Sequence, residues 1–381
     1  MEKDQIRIGV IGAGMIGKEH LKNYSSIPGA QVVALCDTNE SELKRVAQTY
    51  GIPDIYTDFR QMLTRDDIDA VDVCLHVNLH APVTIEALKA GKDVYCEKPL
   101  AGSYADGKAM VGAAKAAGKK LHIQLRFLYR PDCRMAKQVV DSGVLGELYH
   151  MRTFELRRRG RPFVDMFGAP AFVKKQIAGG GALFDIGVYN ISRILYLINS
   201  PKIARISGQV YQKLALDEKR REASGYDVEE TGVGLVYFEN GATLDVFDSW
   251  AVHLHKPAHN CILGDQGGLL LSPMHPETLD NTPIEPMQYF SNVAGLETNA
   301  VFCEDTIQRR WISTDPDDWM HSSSQGHWIA ALQGKTALIP TAQIALDTLL
   351  IQEGIYLSAK LGREVTAEEV EQLSQSTMLR I

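Results

Sequence analysis

The sequence predicts an α/β protein with two domains: an N-terminal doubly wound parallel sheet, and a C-terminal α+β domain with a large, open, mostly antiparallel sheet. Three observations support this prediction. The chain of 381 residues exceeds what one hydrophobic core usually organises. Short apolar runs alternate with helix-like stretches up to about residue 125, and longer alternating runs with hairpin signals follow. We therefore predict domains over residues 1–125 and 126–381.

The N-terminal half contains five short apolar runs that are typical of buried parallel strands. In chain order they read IRIGVIG, QVVALCD, AVDVCLHV, KDVYCE and KKLHIQL. Helix-like stretches such as KEHLKNYSS and APVTIEALKAG separate them. Alternation of this kind predicts a parallel sheet with helices on both faces.

The C-terminal half follows a different pattern. Helical periodicity is present over 131–141, over 182–198 and near the C-terminus, where TAQIALDTLLIQEGIYLSAKLG ends in a glycine suited to a helix cap. The clearest strand pair is TGVGLVYFENGATLDVFDSW. In it, Asn240 and Gly241 supply the two positive-φ residues that a tight hairpin favours. This half is predicted to be a mostly antiparallel sheet backed by helices.

Composition excludes several classes of function. The 40 basic and 47 acidic residues give a formal charge of -7, which offers no electrostatic footprint for nucleic acid. No run approaches the roughly 18 apolar residues needed to cross a bilayer, so we expect no membrane partner. The first apolar run leads directly into a glycine motif, which indicates a buried strand and not a signal peptide. The six cysteines lack CxxC spacing, which favours a reduced, cytoplasmic setting.

A glycine motif follows the first strand. Gly12, Gly14 and Gly17 form GxGxxG between a predicted strand and a predicted helix. The first glycine permits a tight turn, the second lets a pyrophosphate approach the backbone, and the third lets helix and strand pack closely. The helix N-terminus adds backbone amides and a positive dipole end. We predict a dinucleotide site made by these glycines together with Met15 and Ile16.

Asp37 ends the second predicted strand, twenty residues after Gly17. A carboxylate at this position accepts hydrogen bonds from the adenosine ribose hydroxyls, and it repels a 2′-phosphate. The following residues, TNE, contain no basic side chain. NAD is therefore expected in preference to NADP, unless Lys44 or Arg45 reaches the phosphate.

The fifth strand ends in Glu97, Lys98 and Pro99, at the carboxyl edge where open α/β sheets bind their ligands. Proline restricts Lys98 to extended geometry and allows a cis peptide bond, and either effect would fix the direction of the ammonium group. Taken alone the triplet is a weak signal, because a lysine after a strand is usually just solvated.

Three motifs occur in order along the chain: GVIGAGMIGKEHL, CEKPLA and GGGALFDIGVYNISRILYL. Together they resemble the Gfo/Idh/MocA family, and the similarity runs from the first strand to the C-terminal helices. The resemblance implies an N-terminal Rossmann domain, and a C-terminal α/β domain whose open sheet carries the substrate pocket and the oligomer contacts. It also implies that Lys98 and Asp185 are catalytic-site residues.

The third motif adds Tyr189 to this set. Asp185 and Tyr189 are four residues apart, so one helical face would present both side chains to an interdomain cleft. A reacting hydroxyl needs a proton acceptor, and a nearby cation stabilises the alkoxide. Most family members place histidine at position 189, so tyrosine serves as base only if a cation such as Lys98 makes its hydroxyl more acidic. The glucose-fructose oxidoreductase branch also has tyrosine here. Alternatively, the Tyr189 ring simply packs in an amphipathic helix.

Residues after the fourth, fifth and sixth strands are weaker candidates. HVNLH replaces the Thr-Pro-Asn opening usual in the family, so His76 either lines the nicotinamide ribose or caps a strand. Gln124 and Arg126 lie where the family places contacts to cofactor and substrate, and a structural salt bridge is the alternative for Arg126. The predicted cofactor contacts from these segments are His76, Asn78, His80, Glu97, Lys98 and Gln124.

A basic cluster follows in the C-terminal half: Arg152, Arg157, Arg158, Arg159 and Arg161. Guanidinium groups suit carboxylate or phosphate on a substrate, and we take Arg161 as the predicted contact. A solvated face or an interface edge is the alternative.

His253, His255 and His259 form HxHxxxH. No matching carboxylate or cysteine set accompanies them, and hydride chemistry in the resembled family needs no metal. We therefore predict no metal site and prefer a substrate-pocket or packing role.

These observations favour an NAD-dependent dehydrogenase acting on a secondary alcohol or ketone of a sugar, glycoside or inositol. The predicted substrate contacts are Lys98, Arg126, Arg161, Asp185 and Tyr189. One alternative is glycoside cleavage, in which tightly held NAD oxidises the sugar transiently. Another is a non-enzymatic sensor, which would predict a degraded catalytic set. An apolar open sheet face would be hard to leave bare, so a homodimer or homotetramer is expected.

Overall fold

A computed structural model of the chain describes residues 4–166, 168–254, 259–272, 286–302 and 315–381. The chain forms two compact units. The first contains Met1–Arg126, Pro316–Gln343 and Ser376–Ile381, and the second contains Phe127–Asp315 and Ile344–Gln375. This division differs from the prediction of one continuous domain over 126–381, because two later segments pack with the first unit.

The first unit is built on a parallel sheet. Its strands are β1 (Ile6–Ile11), β2 (Ala30–Cys36), β3 (Asp54–Tyr56), β4 (Ala70–Val73), β5 (Asp93–Cys96) and β6 (Leu121–Ile123). They lie in the order β3-β2-β1-β4-β5-β6, and every neighbouring pair is parallel. The direction of winding reverses between β1 and β4, and doubly wound sheets bind ligands outside the carboxyl ends of their strands at such a point. The predicted Rossmann sheet is confirmed.

The second unit is built on a mixed sheet. Its strands are β7 (Leu148–Leu156), β8 (Ile203–Tyr211), β9 (Thr231–Phe238), β10 (Thr243–Ser249), β11 (Cys261–Gly264), β12 (Gly267–Leu270), β13 (Gln288–Val293), β14 (Leu296–Val301) and β15 (Val365–Thr366). Within the described residues their order is β14-β13-β12-β11-β7-β10-β9-β8-β15. The β7–β10 pair is parallel, and the others are antiparallel. The predicted open, mostly antiparallel sheet is therefore confirmed.

Helices flank both sheets. In chain order they are α1 (Met15–Tyr24), α2 (Glu40–Tyr50), α3 (Phe59–Leu63), α4 (Val77–Lys89), α5 (Tyr104–Ala117), α6 (Pro131–Asp141), α7 (Lys175–Ala178), α8 (Ala182–Asp185), α9 (Gly187–Leu197), α10 (Glu218–Ser224), α11 (Trp319–Ser322), α12 (Ser324–Gln333), α13 (Thr341–Leu361) and α14 (Ala367–Leu373). Side chains cap several of them, such as Ser103 at the start of α5. None of the helices in the described ranges is both long and apolar enough to cross a membrane.

The segment 316–343 belongs to the first unit because it completes that unit's core. Trp328 of α12 is fully buried and shares one hydrophobic cluster with Ile6 and Ile8 of β1. The Thr341 hydroxyl accepts a hydrogen bond of 2.9 Å from the backbone N–H of Ile123 in β6. Contacts between residues so distant in sequence depend on tertiary structure, so local periodicity cannot predict them.

The predicted hairpin joins β9 and β10, whose pairing runs from Thr231 opposite Ser249 to Tyr237 opposite Thr243. Gly241 takes a positive φ of 88°. Asn240 does not: its side-chain oxygen accepts a hydrogen bond of 3.1 Å from the Ala242 N–H. The loop therefore needs one left-handed residue where the sequence prediction expected two.

Arg161 lies in a buried ion-pair cluster of the second unit and is 0% exposed. Its Nε is 2.6 Å from Asp165 Oδ2, and its Nη1 is 2.9 Å from Glu230 Oε2. Nη2 donates to the Ala215 carbonyl at 3.0 Å. The prediction that Arg161 contacts a substrate is corrected by this environment, because the protein itself surrounds and binds the guanidinium.

Replacing Arg161 by methionine should destabilise the protein strongly, because Asp165 and Glu230 would remain buried without their cation. The free energy of unfolding should fall by about 3–5 kcal/mol. Lys202→Met is a matched control. Lys202 pairs with Glu239, and the two side chains are 77% and 52% exposed, respectively. Exposed pairs of this kind contribute about 1 kcal/mol or less. Urea unfolding measures both variants. Equal losses would contradict the assignment of Arg161 to a stabilising buried cluster.

Candidate active site

The glycine motif forms the connection between β1 and α1. A Cβ on Gly12, which has a φ of 107°, would lie 2.2 Å from the Cys74 carbonyl oxygen. A Cβ on Gly17 would lie 1.9 Å from the Gly12 carbonyl oxygen, whereas one on Gly14 would meet no atom within 4 Å. The first and third glycines are thus required by contacts inside the protein. The second leaves an open surface that fits the approach of a pyrophosphate.

The two residues after Gly14 differ in exposure. Met15 begins α1 and is 67% exposed, while Ile16 packs against the core of the first unit. The first turn of α1 contains no acidic side chain. No acidic side chain of this turn therefore competes for the amides of the helix N-terminus.

Asp37 follows β2 and is bound to the glycine loop. Its Oδ2 accepts a hydrogen bond of 2.7 Å from the Ala13 N–H, and its Oδ1 accepts one of 2.8 Å from the Asn39 N–H. These bonds fix the carboxylate beside the glycine loop. Lys44 and Arg45, the two residues that could favour a 2′-phosphate, pair with Glu40 and Glu42 on α2.

Lys98 lies at the carboxyl end of β5, and its bond to Pro99 is cis. The backbone N–H of Lys98 donates to Glu97 Oε2 at 2.9 Å. His80 is 1% exposed, and its Nδ1 and Nε2 lie 2.8 Å from the Pro99 carbonyl and 3.0 Å from the Leu75 carbonyl. His80 therefore ties the loop after β4 to the loop after β5. Both ring nitrogens are thus engaged by backbone carbonyls, and the cofactor contact of His80 stays a prediction.

Sequence reasoning missed His20, which lies between two carboxylates. Its Nδ1 is 2.8 Å from Asp72 Oδ2, and its Nε2 is 2.9 Å from Glu97 Oε1. Burial would lower the pKa of His20, but Asp72 and Cys74 together outweigh burial and hold that pKa well above its ordinary value. Burial would raise the pKa of Glu97, yet His20 keeps it below its usual range. The signal in the sequence was Asp72, a charged residue inside the apolar run AVDVCL.

The remaining predicted cofactor contacts of the first unit differ in exposure. His76 is exposed at the N-cap position of α4, where its side chain makes no capping hydrogen bond. Asn78 is buried, and its carbonyl accepts a hydrogen bond of 3.2 Å from the Leu379 N–H. Gln124 is also buried, and its Oε1 accepts from the Tyr95 hydroxyl.

Arg126, a predicted substrate contact, is 51% exposed, and its Nη1 lies 4.0 Å from Glu19 Oε1. This long, exposed pair contributes little to stability. The structural salt bridge considered as the alternative role of Arg126 is therefore present but weak.

Asp185 and Tyr189 lie on two short helices and not on one. Asp185 ends α8, Gly187 begins α9, and Ile186 separates them. Trp250 Nε1 donates to Asp185 Oδ2 at 3.2 Å. The Tyr189 ring meets Phe127 edge to face, with centroids 4.7 Å apart. Both side chains are partly buried and each is held by an aromatic neighbour, so the predicted 182–198 helix is corrected to a broken pair.

Buried groups hold the start of α8. The Glu229 carboxylate accepts hydrogen bonds from the Gly181 N–H at 2.9 Å and from the Leu183 N–H at 3.0 Å. The Gln352 amide donates to the Leu183 carbonyl at 2.7 Å. A Cβ on Gly181 would lie 1.9 Å from the Glu229 carbonyl oxygen. The GGG motif therefore permits a close anchor for the helix that carries Asp185.

Two further buried carboxylates lie on the sheet face that α9 covers. Asp248 of β10 is opposite Glu155 of β7. Asp248 Oδ1 accepts a hydrogen bond of 2.7 Å from Asn190 of α9. Burial raises the pKa of Glu155 to about 7 and raises the pKa of Asp248 well above its ordinary value. Glu155 therefore binds a proton near neutral pH, beneath the helix that carries Tyr189, and burial favours the protonated form of Asp248 as well.

The other basic and histidine candidates are dispersed. Arg152 pairs with Asp245 at 2.7 Å, and Arg158 and Arg159 are exposed. His253 and His259 are also exposed, and His255 lies outside the described residues. Within the described ranges, the side chains grouped closely enough for a metal are instead His20, Asp72 and Cys74.

Two protein-family models match the chain. Residues 6–125 match a model described as "Oxidoreductase family, NAD-binding Rossmann fold", and residues 133–270 match the "GFO/IDH/MocA C-terminal domain". With the glycine loop and Asp37 in place, these matches define an NAD-binding oxidoreductase. The chain belongs to the Gfo/Idh/MocA family.

Full-length relatives include named sugar dehydrogenases. The chain is 28% identical over 373 residues to D-glucoside 3-dehydrogenase of Escherichia coli (strain K12), covering 96% of this chain and 98% of that protein. It is 26% identical over 374 residues to D-apiose dehydrogenase of Paraburkholderia graminis, covering 95% and 90%. A structure of levoglucosan dehydrogenase with NADH and L-sorbose matches with a TM-score of 0.78 at 20% identity, over 96% of this chain and 99% of that one. This structural match shows a shared fold.

Alanine at Gly17 should mainly reduce stability, whereas alanine at Gly14 should mainly weaken NAD binding. Gly17→Ala should lower the free energy of unfolding by about 3 kcal/mol, because the new methyl overlaps a backbone carbonyl. Gly14→Ala should cost about 1 kcal/mol or less, since its extended backbone suits alanine, but it should weaken NAD binding about tenfold or more by filling the open surface. Thermal unfolding with and without NAD measures both effects. A Gly14→Ala variant that binds NAD normally would contradict the placement of the pyrophosphate.

Proposed function

We propose that the protein is an NAD-dependent dehydrogenase that transfers a hydride between nicotinamide and a secondary alcohol or ketone of a sugar, glycoside or inositol. The observation that carries this proposal is Lys98 at the carboxyl end of β5, in the same parallel sheet as the glycine loop. Ligands of doubly wound sheets bind along this edge. A cation there can stabilise an oxygen that becomes negative as hydride departs.

The preference for NAD over NADP rests on Asp37. Its carboxylate is held against the glycine loop by the Ala13 N–H, at 2.7 Å. A 2′-phosphate beside this fixed negative charge would be repelled. Lys44 and Arg45 already pair with glutamates on their own helix. These contacts support ribose hydroxyls as the partners of Asp37.

The chain supplies three side chains for the reaction. When bound, NAD accepts the hydride at nicotinamide C4. As the substrate C–H bond breaks with its electron pair, the hydroxyl loses its proton, and Lys98 stabilises the resulting negative oxygen. Asp185, held by Trp250, orients the hydroxyl. Tyr189 takes the proton and passes it on. With tyrosine in place of the family's usual histidine, the proton acceptor needs a nearby cation to act as a base at neutral pH.

The names of the full-length relatives favour a sugar or glycoside over a linear alcohol as substrate. Glycoside cleavage through transient oxidation stays as the second candidate, because D-glucoside 3-dehydrogenase is among those relatives. A purely regulatory role is less consistent with the retention of both Lys98 and Asp185.

We also propose that the protein is a homodimer or homotetramer formed through the nine-stranded sheet. On the face opposite α9, β7 and β10 present half-buried residues, including Phe154 stacked on Phe247 at 4.5 Å. A second copy covering this face would remove apolar surface from water.

Lys98→Met should lower kcat by about 100-fold or more, because the developing negative oxygen loses its cation. The assay follows NADH absorbance with NAD and a panel of aldoses, glycosides and inositols. Lys115→Met, on the exposed side of α5, should turn over like the wild type. Equal rates for Lys98→Met and the wild type would refute the catalytic assignment. Release of an aglycone by the wild type without net NADH would favour glycoside cleavage.

Asp37→Ser should reduce discrimination against NADP by roughly tenfold or more, because the repelling charge is removed. Asp58→Ser is the control, since Asp58 caps α3 through its side chain and serine caps helices equally well. Thermal-shift titrations with NAD and NADP give the dissociation constants of both variants. An unchanged ratio in Asp37→Ser would show that another group selects the cofactor.

A further inference from the structure

His20 connects the helix of the glycine motif to the residue before Lys98. It lies in α1, three residues after Gly17, and its side chain is 2% exposed. Asp72 belongs to β4 and Glu97 follows β5, so the imidazole joins the ends of two neighbouring strands to the helix. The sequence separations are 52 and 77 residues, which shows that only the fold brings these groups together.

The Glu97 carboxylate divides its two oxygens between different partners. Oε1 lies 2.9 Å from His20 Nε2, and Oε2 accepts the backbone N–H of Lys98 at 2.9 Å. Any shift of this carboxylate therefore moves the peptide from which the Lys98 side chain extends. Because Glu97 has a rotatable side chain, one bond to Lys98 alone would not fix its position. The second bond, to His20, removes that freedom.

We propose that His20 is a positioning residue for Lys98, acting through its bond to Glu97. The inference rests on the proposed function, because it gives Lys98 its role in hydride transfer. His20 does not touch the reacting atoms in this assignment. It determines where the Lys98 ammonium is delivered.

The surroundings of His20 support an ionic bridge over a metal site. His20 Nδ1 and Asp72 Oδ2 lie 2.8 Å apart, which is a hydrogen-bond distance, and Cys74 Sγ lies 3.2 Å from the same nitrogen. Both ring nitrogens face carboxylate oxygens, so a doubly protonated imidazole satisfies them together. The His20 and Tyr95 rings meet edge to face, with centroids 5.7 Å apart.

Two amide substitutions separate the halves of this bridge. In His20→Asn the side-chain amide nitrogen takes the place of Nδ1, so it keeps the bond to Asp72 and loses Glu97. In His20→Gln the amide nitrogen takes the place of Nε2, so it keeps the bond to Glu97 and loses the bond to Asp72.

We expect His20→Asn to lower kcat by about a hundredfold with an unchanged dissociation constant for NAD, because a small misplacement of a catalytic group has an effect of that size. His20→Gln should retain kcat within about fivefold of the wild type, by the same argument.

His122→Asn controls for the loss of a buried histidine. His122 is also fully buried in the first unit, but it bonds to Thr341 and Ser324 and not to Glu97. This variant should unfold at a lower temperature while its kcat stays near the wild-type value. If His20→Asn proves too unstable to purify, Glu97→Asp tests the same link from the other side. Its shorter side chain withdraws the carboxylate from His20 Nε2, which lies 2.9 Å from Glu97 Oε1, so it should show the same loss of kcat.

A second readout does not depend on turnover. Competitive acetylation with acetic anhydride, quantified by mass spectrometry, compares the reactivity of Lys98 with that of exposed Lys115. In His20→Asn the relative reactivity of Lys98 should rise at least threefold or so, because its peptide is no longer held, whereas in His20→Gln it should match the wild type.

The outcomes separate the two proposals. A wild type that reduces no NAD with any substrate of the panel would count against the proposed dehydrogenase function, and the acetylation result would still decide the role of His20. A folded His20→Asn with wild-type kcat and wild-type Lys98 reactivity would overturn the positioning role and leave the dehydrogenase standing. Equal losses in His20→Asn and His20→Gln would also overturn it, since they would indicate a general structural effect.

Discussion

The close approach of α1 to the end of β1 is the constraint on which the first unit depends. A side chain at Gly17 would overlap the Gly12 carbonyl, so the helix can lie there only with glycine at that position. This packing presents the helix amides beside the open surface at Gly14. It also directs His20, one turn later, toward Asp72 and Glu97. The cofactor loop and the lysine at the end of β5 are consequently parts of one connected arrangement, built on a single helix-strand contact.

In the second unit, polar side chains fix the position of a short helix. A helix as short as α8 has little stability of its own, because nucleation costs more than one turn of hydrogen bonds returns. Its position must therefore come from tertiary contacts. Glu229 binds the first free N–H groups of α8, and Gln352 binds a carbonyl of the same turn. The place of Asp185 is thus determined by residues far from it in sequence, and the break at Ile186 lets α9 take its own direction.

The features that depend on short stretches of sequence were predicted correctly. The alternation of apolar runs, the GxGxxG spacing and Asp37 all act over short stretches, and the Rossmann sheet and the Asp37 bond to the glycine loop agree with them. The failures involve burial and long-range pairing. Arg161 was predicted to contact a substrate because its partner Glu230, 69 residues away in sequence, could not be recognised. The return of 316–343 to the first unit depends on the fit of Trp328 into a core that no sequence window contains.

Buried charge has two different consequences in this chain. Around Arg161 the cation faces carboxylates and carbonyls that belong to loops, and the cluster stabilises their shape. At His20 the two ring nitrogens point in different directions, and each meets one carboxylate. Lysine carries its donors on one nitrogen at the end of a flexible stem, and arginine needs more room. Imidazole is small and rigid enough to hold two strand ends at a fixed separation within a packed core. The imidazole binds one oxygen of Glu97 and leaves the other free to accept the Lys98 N–H. Through that second oxygen, the buried ion pair helps to fix the position of Lys98.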